Sequence, residues 1–400
     1  VAAGTLAAIA VAGAMATSTI VFSEPAVADV LMAAVVIGLP MLGVTRFGRA
    51  AMLNFSLWLV LVSLGFVACA LSTSFDTAVT HQAVTLFLAV GAFVLAGYVA
   101  ADPEARFRLV MTWYVVGCLI AAGAALAGYF QLVPSAHELF TNYGRARGTF
   151  KDPNVLGAAL APAIAFVAWT VLRGTGRQAL LAAAISVPLF LALLLSFSRG
   201  AWASALLSLL LVAWLALVTT RQVADFRRLI VVVVLGSVAL AVTIGSALQL
   251  EAVEDLFAQR ASLDQSYDEG PEGRFGGQAK AVGLILEHPF GVGTHTFRTA
   301  YHDEEAHNVY LTQFLNAGWI GGLAYAISVA ATLAAGFIAV FRTAALKGPL
   351  IVATAAFAGL VFEGFVVDTD HWRHFFIVMA LVWGLVDGGS PTPFRESRDD

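Results

Sequence analysis

Four polar clusters in an otherwise apolar chain carry side chains suited to an anion and a proton: Tyr143-Gly-Arg-Ala-Arg147, Ser196-Phe-Ser-Arg-Gly200, Glu272-Gly-Arg274 and Ala306-His-Asn308. A guanidinium presents a planar fork of N–H donors that can grip phosphate oxygens two at a time, and it stays charged in a poorly hydrated setting. Arg145, Arg147, Arg199 and Arg274 are therefore candidates for holding an anion. Near neutral pH the natural proton acceptor is an imidazole, which makes His307 the candidate base. The carboxylates before it, Asp303 to Glu305, could orient the ring or raise its basicity. Each residue also has a plainer reading. Arg199 could snorkel to lipid headgroups. Asp152 or Asn154 could simply cap a helix, although the free amides of a helix start also favour an anion. Arg274 could form a solvated ion pair with nearby loop carboxylates, and His307 could be a structural group beside Asn308.

The elements that must position these residues follow from composition. Of the 400 residues, 60% are hydrophobic and 12% charged, well beyond an ordinary soluble domain, and the apolar residues come in runs. About 20 residues cross roughly 30 Å of hydrocarbon. Twelve runs meet that measure, near 4–22, 26–45, 52–72, 77–101, 107–132, 154–172, 178–196, 200–219, 229–250, 315–341, 348–367 and 372–388. They are too long and too continuously apolar for barrel strands. The expectation is one all-α polytopic membrane domain over residues 1–400, with about twelve transmembrane helices. Ala26-Val-Ala28 resembles a signal-cleavage site, but a first helix is the favoured reading of what precedes it. Cys69 and Cys118 lie inside apolar runs and imply no disulfide framework.

Lys and Arg set the orientation. With the N-terminus cytoplasmic every inner loop is basic, while most carboxylates and all eight histidines lie outside or at outer helix ends. Two outer loops are long: 133–153, and 251–307 between the ninth and tenth spans, which reads as structured because Phe275 to Leu286 has helical spacing and Pro289-Phe-Gly-Val-Gly293 supplies a turn. Among the few basic residues that break the positive-inside pattern are the four arginines above, together with Arg260 and Arg373. The histidines at 288, 295, 302 and 307 and the pair Asp368-Thr-Asp370 lack the spacing of a compact zinc site, so no metal and no cofactor is expected. Glu363 lies inside the eleventh span and should face the bundle or a wet cavity.

Taken in order, Arg147-Gly-Thr-Phe-Lys-Asp-Pro-Asn154, Ser196-Phe-Ser-Arg-Gly200, Gly273-Arg-Phe275, Glu287-His-Pro-Phe-Gly-Val-Gly293, His307-Asn-Val-Tyr-Leu311 and Gly318-Trp-Ile-Gly321 resemble the bacterial O-antigen ligase and O-antigen polymerase superfamily. The resemblance covers roughly 140–385. It implies a multi-pass protein of the bacterial inner membrane whose site faces the periplasm. The implied reaction is a metal-independent, inverting transfer of a glycan from undecaprenyl diphosphate to an acceptor hydroxyl on a saccharide or on lipid A core. Under it Arg199 and Arg274 hold the diphosphate and His307 activates the acceptor, with Arg260 a competitor for the place of Arg274. Arg145 or Arg147, Asn154, Asn308, Glu363 and Arg373 are expected as substrate contacts, Glu363 through a sugar hydroxyl. A protein hydroxyl is the less favoured acceptor. The competing class is a transporter or anion-binding membrane protein, which would be expected to carry polar groups at mid-membrane and interrupted helices in matched halves.

Overall fold

A computed structural model of the chain describes residues 2–220, 222–247, 249, 257, 270 and 273–390. In hydrocarbon each backbone N–H and C=O must be paired within its own segment, so the Ala-, Leu- and Val-rich runs close as α-helices. The chain opens with α1 (Ala2–Thr17), α2 (Val27–Met41), α3 (Arg49–Ala68), α4 (Phe75–Ala101) and α5 (Pro103–Tyr129). A short α6 (Ala136–Phe140) precedes α7 (Pro153–Arg173), α8 (Gly176–Leu195), α9 (Arg199–Thr219) and α10 (Val223–Ala247). Then come α11 (Arg274–Glu287), α12 (Val309–Arg342), α13 (Lys347–Glu363) and α14 (Arg373–Gly388). All twelve apolar runs carry a helix, and eight helices among the described residues are long and apolar enough to cross a membrane. The chain is an all-α, multi-pass membrane protein. One feature departs from the expectation, a two-stranded hairpin in the loop before α7. Most of the segment between α10 and α11, Arg260 included, lies outside the described residues.

Small residues let the helices approach closely, which is how helices associate where lipid is as apolar as Leu. The centre of the bundle is α7, buried from Leu156 to Ala165 and packed between α8 and α9. A Cβ added to Gly157 would stand 2.6 Å from the Ala201 Cβ, so a larger residue would push α7 and α9 apart. Tyr114 of α5 donates its hydroxyl to the Ala159 carbonyl at 2.6 Å. Around this centre α12 packs on α3, α14 on α4 and α13 on α9. The Trp58 ring meets Tyr325 edge to face, with centroids 5.7 Å apart.

The α12 helix is broken once. Gly318 has φ 70°, and the Trp319 amide leaves the helical ladder to donate to the Pro289 carbonyl at 2.9 Å. The Leu315 carbonyl that Trp319 would have used accepts the Val292 amide at 2.8 Å instead. Segment 289–293 is thereby seated in the notch. At the end of the bundle away from the arginine clusters, the Asp387 carboxylate accepts the Ala50 and Ala51 amides of α3 at 3.2 and 2.9 Å. Arg46 donates to the Asp387 carbonyl at 3.0 Å, which completes a clasp between α3 and the last helix.

Candidate active site

The hairpin pairs β1 (Thr141–Asn142) with β2 (Arg145–Ala146). Its turn residues Tyr143 and Gly144 have φ 51° and 70°, the double left-handed geometry that matches the twist of a two-residue hairpin. The turn carries Arg145 inward, where its Nε donates to the Ser196 carbonyl at 2.8 Å and its Nη2 to Asn154 Oδ1 at 2.7 Å. Ser196 is the C-cap of α8, so a buried guanidinium closes that helix where its dipole is negative. Asp152 caps α7 by accepting the Asn154 amide at 2.7 Å.

Between α8 and α9 the chain reverses through Phe197, buried at φ 47°, a region that non-glycine residues occupy only when the surroundings impose it. Ser198 is the N-cap of α9 and Arg199 its first residue. Gly200 follows, facing α13: a Cβ there would meet Glu363 Oε1 at 3.4 Å, an ordinary contact distance. Glu363 itself is 1% exposed at the end of α13.

Arg274 is the first residue of α11, and His307 stands just before α12 with φ 48°. Several contacts fix the imidazole's backbone. The Val309 amide donates to the Gly364 carbonyl at 2.9 Å, and Gln278 of α11 donates to the carbonyls of His307 and Phe365, both at 3.4 Å. Its Nε2 lies 3.3 Å from Glu304 Oε2. Burial first, and then the Arg274 guanidinium, lower the pKa of the His307 imidazole, with Glu304 pulling the other way. Asp368 accepts the Thr312 hydroxyl at 2.6 Å, and burial, reinforced by Asp370, pushes its carboxyl up to about 7.

These pieces enclose a cavity of about 310 Å³ whose polar lining includes Arg145, Asn154, Arg199, Arg274, His307 and Glu363. The starts of α7, α9 and α11 and the residue before α12 all border it. Three helix N-termini thus add the positive ends of their dipoles to three guanidinium groups, an arrangement suited to an anion. Three of the sequence candidates stand elsewhere. Arg147 turns to the Leu139 carbonyl at 3.2 Å. Asn308 spends its Oδ1 capping α12 through the Tyr310 and Leu311 amides. Arg373 closes its fork on Asp29 at 2.8 and 2.7 Å and lines a separate cleft. Sequence reasoning missed Trp372, which walls the cavity, and the positioning roles of Gln278 and Asp368.

Residues 181–326 match the family model described as O-Antigen ligase. That match bears out the resemblance drawn from the ordered motifs, and the matched segment holds Arg199, Arg274 and His307. No curated protein matches the chain.

Proposed function

From the chain's place in the O-antigen ligase-like superfamily, we propose that it is a glycosyltransferase that moves a glycan from undecaprenyl diphosphate to an acceptor hydroxyl at the periplasmic face of the inner membrane. What carries this reading is the convergence of Arg145, Arg199, Arg274 and His307 on one cavity bordered by the starts of three helices. The diphosphate is the leaving group. Its developing charge falls to Arg199 and Arg274, which act as a fixed electrostatic clamp already in place before reaction. Arg145 is held by Ser196 and Asn154, and supports the donor from the α7 side. His307, kept neutral by its surroundings, accepts the proton of the hydroxyl as its oxygen attacks the anomeric carbon from the side opposite the diphosphate. One such displacement inverts the anomeric centre, and the side chains supply the chemistry without a metal. Glu363 and Trp372 present a hydrogen-bonding group and an apolar face to the sugar. The lipid tail would lie between helices.

The test is a transfer assay with the full chain in lipid discs, supplied with an undecaprenyl-diphosphate oligosaccharide and resolved by product size. A ladder of growing glycans identifies a polymerase, and transfer to added lipid A core alone identifies a ligase. A folded protein that binds the anionic lipid and yields no product with any acceptor would overturn the enzyme reading in favour of transport or binding.

A further inference from the structure

A second polar cluster lies outside the cavity. His81 comes from the first turns of α4, Asp370 and His371 from the link between α13 and α14, and His295 from the loop after α11. His81 Nε2 is 3.2 Å from Asp370 Oδ2, and one donor atom from each of His81, Asp370 and His371 falls within 4.8 Å of the others. The His81 and His371 rings stack at 3.9 Å, and the His295 ring stands edge-on to His81 at 4.8 Å. His295 holds φ 60°, a backbone region that costs a non-glycine residue free energy. The histidines singled out by sequence spacing were different ones, and only His295 among them joins this group.

We propose that His81, Asp370 and His371, completed by His295, form a structural site for a divalent transition-metal ion, zinc being the ion whose chemistry the donors suit best. Three imidazoles and one carboxylate are nitrogen and oxygen donors of the class zinc takes in tetrahedral sites. Bonds of about 2.0–2.1 Å place tetrahedral ligand atoms roughly 3.3 Å apart, and the His81 to Asp370 edge already has that length. An ion on that edge would take the Nε2 lone pair of His81, whose ring proton then sits on Nδ1. His371 closes in by a side-chain movement. Outer partners are already set, as they are around metal-bound histidines. Glu305 meets His295 Nδ1 at 3.2 Å, Thr85 meets His371 Nε2 at 2.9 Å, and Gln313 donates to Asp370 at 3.2 Å. The His295 side chain is 42% exposed, which gives an ion a way in. None of the four lines the cavity, but Trp372 beside His371 does, so the ion would fasten a cavity wall to α4 without touching the reacting atoms.

The experiment needs no transfer activity, so its result stands apart from the fate of the enzyme reading. The full chain, freed of any purification tag and stripped with a chelator, is titrated with Zn²⁺ by calorimetry and with Co²⁺ by visible absorption. Expected are one ion per chain, the intense visible bands of tetrahedral Co²⁺, and a melting temperature that rises with Zn²⁺. His81→Gln and Asp370→Asn should each weaken Zn²⁺ binding at least tenfold, while His288→Gln leaves it unchanged. Should those variants misfold, the more exposed His295→Gln gives the same reading with a smaller loss. Absence of binding, or equal affinity in the His81→Gln/His371→Gln double variant, would overturn the site.

Discussion

At the scale of single residues, the proposal depends on planar charge and on one neutral imidazole. Lysine keeps the charge of arginine and loses its fork. Arg199→Lys and Arg274→Lys are each expected to raise the KM for the lipid-linked donor about tenfold, ~1.4 kcal/mol; unchanged kinetics in both would remove the clamp. The pH dependence has a definite sign. His307 works unprotonated, and its pKa lies below the ordinary 6.5, so the acid limb of kcat/KM should fall below that value. Removing the positive charge in Arg274→Gln should move that limb up, and removing the negative one in Glu304→Gln should move it down, while a limb fixed in both would assign the titration to another group. His307→Ala should abolish transfer in a protein that still folds. The places of Arg199, Arg274 and His307 beside helix starts were legible because each motif runs directly into a helix. Arg145 could not be told from Arg147, because i and i+2 would share a face on a strand, and only the folded chain shows that β2 ends at Ala146 and that Arg147, beyond it, turns to Leu139. Arg373 was misread because its partner, Asp29, stands 344 positions away.

At the scale of elements, helix starts position the chemistry and glycines allow the joints. The expected α11 was placed within a residue of its observed ends because amphipathic spacing survives at a membrane surface. The hairpin was not foreseen, since two-residue strands leave no alternation to read. The structure starts α12 at Val309, before the expected run 315–341, and carries it through a single non-helical residue, Gly318. That joint is testable. A Cβ at position 318 would stand 2.5 Å from the Pro289 carbonyl oxygen, on a backbone at φ 70°. Gly318→Ala should therefore cost more than ~1 kcal/mol and lower the melting temperature, with a larger fall in turnover as segment 289–293 is displaced; unaltered stability would show that the notch adapts.

For the whole molecule, the site is wider than the segment that carries the family match. Arg145, Asn154, Glu363 and Trp372 lie outside 181–326, and they supply walls that no fragment of that length would contain. The all-α, multi-pass character was legible from apolar length alone, while the cavity depends on contacts between distant runs that no local pattern encodes. At the opposite end the clasp on Asp387 acts as a helix cap delivered by tertiary structure. Asp387→Ala should cost about 1–2 kcal/mol, the loss of a cap, seen as earlier thermal unfolding with donor binding kept below the transition. The clasp also has a consequence in time. Its two halves stand more than 330 positions apart, so at roughly 5–20 residues per second α3 waits on the order of half a minute on the ribosome for the residue that finishes its first turn. Until the last helix is made, the third has an open end, and a nascent chain that stalls before it leaves a marker by which surveillance proteases can tell it from a finished one.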